Sequence, residues 1–325
     1  HEQNFLNCTI IRTLNTMIKA QKVIDQPNEN TVFMVWNLHQ TGDHFFFFKK
    51  LCGLVANLNN SVNTRFPDSY SSLVMGIGYN AWHQLNLPQP LPKELKNFEA
   101  IVGKRHTAVS TSADLHFHVR STEKSLCIDL TTQLSNLLNQ FADCTEEIHG
   151  FRYWDGRSIL GFVDGTENPE GDEERSHFAL IGNEDSHYKN GSYLFVQKYL
   201  HNMNAWQNLS VEEQEKVIGR TKVDDIEMDE EIKPTNSHSS LANVGDDKKI
   251  VRDNMPFGNR ANNEMGTYFI SYASTFSTVE EMLTRMFIGE PKGNYDRILD
   301  FSEAKTGSLF FVPSLNMLDE FTELH

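Results

Sequence analysis

The chain has 325 residues, of which 39% are hydrophobic and 22% charged, and a formal net charge of −15. That is enough for one large globular domain or two ordinary ones. No apolar run approaches the roughly 18 residues of a membrane helix, and the acidity argues against nucleic acid or an anionic membrane as partner.

The four cysteines, Cys8, Cys52, Cys127 and Cys144, are scattered, with no CxxC pair and no CxxCH haem-attachment motif. Cys127 falls in an apolar helical pattern and reads as a small core residue. A reducing cytoplasm is the expected location. Near the N-terminus, Ile10, Ile11, Leu14, Met17 and Ile18 are interleaved with polar residues, unlike a signal peptide. The chain begins at His1, which leaves an upstream leader open.

Residues 1–30 form an N-terminal segment without a clear pattern. Residues 31–39 (TVFMVWNLH) predict a strand, 44–62 a helix, and 72–80 and 115–120 two strands. Leu126, Leu130, Leu134, Leu137, Leu138 and Phe141 recur at spacings of three and four, an amphipathic helix over 125–141; residues 147–153 then look extended. In the second half, 191–201 predicts a strand. Ser210 with Glu213 marks a helix start over 210–220. Strands follow at 249–258 and 266–274. A helix over 278–287 begins at Thr278 and places Val279, Met282, Leu283, Met286 and Phe287 on one face; a last strand covers 307–314. Each half therefore reads strand, helix, strand, strand, helix, strand. That predicts an α+β fold of two tandem ferredoxin-like units with antiparallel sheets, over 31–155 and 156–325, in the manner of the dimeric α+β barrels.

Two segments stand out. Residues 160–169 (LGFVDGTENP) begin apolar and break at Asp164-Gly165, which alone predicts a strand ending in a tight turn. The acidic stretch 221–248 is expected to be a long loop, and within it His238 is flanked by small polar residues. Arg252 interrupts the apolar run of 249–258. A lone Arg there belongs on the solvent face, unless it is buried beside an anion. Asn254, two residues on, shares its face. His116 and His118 alternate on one strand and are expected on its solvent side; His106, His149 and His201 call for no more than loop, turn or packing roles.

Taken together, GFVDGTENPEG, SHSSLANV and IVRDNMPFGN, in this order, resemble the dye-decolourising peroxidases, whose GxxDG signature is met by Gly161, Asp164 and Gly165. The resemblance is strong over about residues 145–315 and looser over 31–144; it points to the bacterial cytoplasmic branch. It implies haem b in the second unit and hydrogen peroxide as oxidant, with dye-like or phenolic donors. It also implies His238 as axial iron ligand and Asp296 as acceptor of that histidine's other N–H; the residues alone would equally allow Asp296 to be a helix cap. Asp164 and Arg252 match the distal pair, Asn254 would assist them, and Phe269, Leu309 and Phe311 would wall the pocket. Trp154, Tyr199 and Trp206 are the candidate surface relays for bulky donors. The resemblance further implies a homo-oligomer, while the tail MLDEFTELH gives no support for packaging in a nanocompartment. The alternative, a haem storage, delivery or iron-release protein on the same scaffold, needs a ligand and a pocket but neither Asp164 nor Arg252.

Overall fold

The computed structural model describes residues 17–325, so Cys8 and the first part of the N-terminal segment lie outside it. The first half contains β1 (Asn30–Leu38), α1 (His44–Arg65), β2 (Ser72–Gly78), β3 (Leu115–Ser121), α2 (Lys124–Leu138) and β4 (Ala142–Phe151). The second contains α3 (Gly171–Ala179), β5 (Ser192–His201), α4 (Val211–Ile218), α5 (His238–Ala242), β6 (Val251–Arg252) and β7 (Met255–Asn259). It continues with β8 (Glu264–Ala273), α6 (Phe276–Phe287), β9 (Ser302–Ala304), β10 (Ser308–Val312) and α7 (Leu315–Thr322).

Both halves thread their strands in the same antiparallel order. β4-β1-β3-β2 in the first is matched by β10-β5-β8-β6 in the second. This is the ferredoxin-like plan twice, an α+β fold. The halves join edge to edge, with Ile77 of β2 opposite Phe311 of β10. Among the described residues one ten-stranded sheet results, and the join covers two strand edges that would otherwise be open to mispairing.

Helices cover one face of the sheet. Asp43 caps α1 by accepting from the Phe46 N–H at 3.0 Å, and α1 turns Phe48, Leu51, Val55, Leu58 and Val62 inward. Leu130, Leu134 and Leu138 of α2 join them in a core that runs on to Phe195, Phe276, Leu309 and Phe311. On the other face the two half-sheets meet: Phe33 of β1 stacks on Tyr268 of β8 with ring centroids 4.0 Å apart. This second core includes Val74, Leu194, Met255, Ile270 and Tyr272.

That meeting of faces overturns the expectation for His116 and His118. Both are fully buried, because the side of β3 that would face water in an isolated unit faces the second unit here. His116 Nε2 lies 3.1 Å from the Tyr268 hydroxyl and His118 Nδ1 2.8 Å from that of Tyr272. Burial pulls His116 down to about 3. Burial, reinforced by the nearby Arg120, pulls His118 well below the usual imidazole range.

Other departures are local. The strand expected over 249–258 is divided after Arg252. The helix expected to start at Thr278 starts one turn earlier, capped by Thr275, and Thr278 is buried inside it. The supposed loop 221–248 contains α5. No helix of the described residues is long and apolar enough to cross a membrane.

Candidate active site

Residues 160–163 do not form the expected strand. Leu160 and Phe162 are buried because they pack with Trp206 and Val217 in a small separate core. Val163 makes only an isolated bridge to Arg157. Gly161 and Gly165 take φ of +94° and +90°, a region that suits glycine and few other residues. The Asp164 N–H donates to the Gly156 carbonyl at 3.1 Å, and the Asn168 N–H to the Gly165 carbonyl at 3.1 Å. The stretch is thus a braced loop that leaves the Asp164 carboxylate on the wall of a cavity of about 160 Å³.

Arg252, Asn254, Phe269 and His238 line the same cavity. Arg252 and Asn254 reach it because alternate residues of an extended chain share a face. Arg252 Nη1 lies 4.0 Å from Asp164 Oδ1, and Asn254 Nδ2 donates to the same oxygen at 3.5 Å. The Asn254 amide is fixed from its other end, where Oδ1 accepts from the Ile270 N–H at 3.1 Å. A second cavity of about 140 Å³ adjoins the first and shares Asp164, His238 and Arg252.

His238 opens α5. The approach of α5 to α4 depends on Gly219, at φ +89°, where a Cβ would fall 2.0 Å from Ser239 Oγ. His238 Nδ1–H donates to Asp296 Oδ2 at 2.6 Å. Asp296 is fully buried, and its other oxygen accepts from the Ile298 N–H at 3.0 Å. Asp296 is therefore a helical cap and the histidine's partner at once; the two readings of the sequence were not exclusive. Burial works to lower the pKa of His238, but the charge and hydrogen bond of Asp296 outweigh it and hold the imidazole above its usual range. The Nε2 atom has no hydrogen-bond partner among the described residues.

The remaining wall is apolar on one side, with Leu160, Phe162, Val279, Met282, Leu283 and Met286, and polar along β5, with Gln197, Tyr199 and His201. The α6 face read from the sequence supplies the apolar part. The polar stripe was overlooked, although Gln197, Tyr199 and His201 alternate with period two in the strand, which was its available signal. Tyr199 donates to Gln197 Oε1 at 2.7 Å, and Gln197 Nε2 is buried without a partner among the described residues.

Four expectations need correction. Leu309 and Phe311 do not line the cavity. Leu309 sits opposite Phe195, one strand further into the sheet, and Phe311 packs edge-on against Trp82 and Tyr188 in the helical core. Tyr199 and Trp206 are buried, and only Trp154, 70% exposed, is a surface aromatic of the three proposed.

Models of the Dyp-type peroxidase N-terminal and C-terminal domains match residues 21–152 and 155–317. The chain belongs to the Dyp-type peroxidase family. It is 43% identical over 305 residues to a dye-decolorizing peroxidase of Rhodococcus erythropolis, covering 92% of this chain and 88% of the relative. A crystal structure of a dye-decolorizing peroxidase from Bacteroides thetaiotaomicron superposes with a TM-score of 0.92 at 50% identity, covering 94% of this chain and 99% of that one. A variant of DypB from Rhodococcus jostii RHA1 in complex with heme superposes with a TM-score of 0.88 at 44% identity, over 92% of this chain and 98% of the other. Membership makes the chain an oxidoreductase of the peroxidase class with haem as its cofactor.

The residues present fit that cofactor. A buried carboxylate commits His238 Nδ1 as a donor, which leaves Nε2 as the free ring nitrogen on a cavity with an extensive apolar wall. The unpartnered amide of Gln197 offers a donor on the same wall.

Proposed function

We propose that the chain is a haem b peroxidase that reduces hydrogen peroxide and oxidises dye-like or phenolic one-electron donors in the cytoplasm. In this reading His238 Nε2 would hold the haem iron, Asp296 accepts from the Nδ1–H of the same ring, and Asp164, Arg252 and Asn254 are the groups that act on peroxide. Bound haem would supply the redox-active iron at which the O–O bond is cleaved.

The chain's own side chains supply binding and proton handling. Asp164 Oδ1 is the base: it takes a proton from one peroxide oxygen and delivers it to the leaving oxygen. Arg252 cannot act as a base, because guanidinium stays protonated, but its fixed charge stabilises the negative charge that develops as the O–O bond breaks. Asn254 donates toward Asp164 Oδ1 and so orients the carboxylate. Phe162 and Phe269 exclude water and narrow the site to small oxidants. A structural carboxylate for His238 strengthens the ligand by favouring imidazolate character.

The observation that carries this reading is the placement of Asp164, Arg252 and Asn254 on the same cavity as the His238–Asp296 pair. A haem carrier has no need of the first three. Mixing the haem-loaded protein with peroxide in a stopped-flow instrument over a pH series tests it. Asp164→Asn should lower the peroxide rate by about 10²–10⁴-fold and flatten its acid pH dependence. Arg252→Leu should lower it by about 10²–10³-fold while an ionisation remains. An Asp164→Asn variant with the parental rate and pH profile would remove Asp164 from the reaction.

A further inference from the structure

Among the described residues β6 is the last strand of the sheet, with β8 on one side only. On its open side stands Asn168. The Arg252 N–H donates to Asn168 Oδ1 at 2.9 Å, and Asn168 Nδ2 donates to the Arg252 carbonyl at 2.9 Å. A primary amide carries one acceptor and two donors in a plane, so this single side chain pairs with both backbone groups of Arg252 as a neighbouring strand would. It also satisfies an edge that would otherwise be open.

Asn168 belongs to the same short loop as Asp164. Its own N–H closes the turn onto the Gly165 carbonyl. The next residue, Pro169, is anchored as well: its carbonyl accepts from Arg175 Nη1 at 3.4 Å, and the same buried guanidinium bonds the carbonyls of Ile24 and Asp25 at 2.8 and 3.0 Å. On the inner face of the strand, Asp253 is tied to Arg120 of β3 at 3.1 Å. The loop is therefore fastened to its surroundings on one side and to the Arg252 backbone on the other.

We propose that Asn168 is a positioning residue for the peroxide reaction: its side-chain amide locks the Asp164 loop to the Arg252 backbone and thereby sets the 4.0 Å approach of their side chains. The claim rests on the roles given to Asp164 and Arg252 above. Asp at this position would keep the acceptor and lose the donor; Ala would lose both; Gln would displace the amide by one methylene. Misplacement of about 1 Å at a reacting pair costs on the order of 100-fold in rate.

The test uses the haem-loaded full chain with Asn168→Ala and Asn168→Asp, read by three measurements: haem content, the second-order rate with hydrogen peroxide, and hydrogen exchange of the segment containing the Arg252 amide. Asn168→Ala should keep its haem, lose about 10- to 100-fold in rate, and exchange the Arg252 amide faster. Asn168→Asp should fall between Ala and the parent. Combining Asn168→Ala with Arg252→Leu should cost less than the product of the single losses, because both act through one group. Faster exchange with an unchanged rate would make Asn168 a strand cap and nothing more. Unchanged exchange would show that the pairing does not hold the strand, and multiplicative losses would place Asn168 outside the Arg252 route. If Asp164→Asn and Arg252→Leu themselves leave the rate unaltered, it is the underlying functional reading that fails.

Discussion

Two regions of this molecule set histidine beside oxygen, and they treat it in opposite ways. At the cavity, half-buried His238 meets a fully buried carboxylate at 2.6 Å, and its pKa is pushed up although desolvation opposes it. Between the half-sheets, His116 and His118 meet tyrosine hydroxyls, and their pKa values are pulled down, His116 to about 3. His118 does approach a carboxylate, Asp253 at 3.6 Å. That carboxylate is already paired with Arg120 and is itself pushed up to about 6, chiefly by burial. Desolvation alone thus does not decide what a histidine can do. A dedicated carboxylate leaves His238 with one nitrogen fixed and the other free on a cavity, whereas burial beside neutral hydroxyls, with Arg120 near His118, leaves His116 and His118 as packed, uncharged rings.

The sharpest way to break this comparison is to remove one histidine from each region. His238→Ala should abolish or greatly weaken haem binding while the chain stays folded, and His116→Gln should retain full haem content. Absorbance in the Soret region with a folding control by circular dichroism reads both. Full haem retention in His238→Ala, with an unchanged spectrum, would refute the ligand assignment.

The next largest effect concerns the interior charges. Arg120→Met leaves Asp253 buried without its cation, a change worth roughly 3–5 kcal/mol when the charge cannot escape. Asp253 can escape by protonation. The destabilisation, measured by denaturant titration, should therefore be larger at pH 7.5 than at pH 5. An equal cost at both pH values would mean that Asp253 does not titrate in this range.

A smaller effect follows from the neutral histidines. His116, His118 and His201 all have folded-state values depressed by burial, His201 to about 4. A depressed imidazole contributes stability that is present above its unfolded value near 6.5 and is lost as the pH falls below it, at about 1.4 kcal/mol per pH unit for each ring. Asp253 acts the other way: its raised value adds stability as the pH falls through about 6. Asp114 and Glu146, also raised by burial, act in the same sense as Asp253 but chiefly toward the lower end of the range; the three rings lose stability from pH 6.5 downward, so stability should drop between pH 6.5 and 4, and His116→Gln should show a shallower decline. A flat profile in the parent would contradict the neutral assignment.

The smallest change in stability is expected from Asp296→Asn, since Asn caps about as well as Asp. The same substitution should raise the iron reduction potential of the loaded protein, because it removes the charge that favours imidazolate character. Spectroelectrochemical titration separates the two roles of Asp296: an unaltered potential with normal stability would leave only the cap.

Much of the scaffold was legible in the sequence because it rests on local rules. The leucines of α2, the apolar face of α6 and the repeated order of elements follow from periodicity, and periodicity reports which face of an element is apolar. It does not report what that face meets. LHFHV reads the same whether its histidines face water or a second sheet, so His116 and His118 were assigned to solvent. Leu309 and Phe311 carry the correct strand pattern for a wall, yet neither reaches the cavity. Asn168 was visible as part of a turn signal, but its partner Arg252 lies 84 residues away.

By itself, then, the sequence determined the two-fold α+β plan, the family, and Asp164, His238, Arg252, Asn254 and Phe269 as residues of one cavity. Those depend on short-range spacing and on motifs whose order survives in one dimension. The tertiary structure alone decided which polar groups are charged and which are neutral, and what braces Asp164 against Arg252. The physical reason is that both depend on desolvation and on directional hydrogen bonds between distant segments. Asp296 and Asp253 are the same residue type, both buried in the same half of the chain. What separates them is whether a histidine or an arginine stands within hydrogen-bond reach.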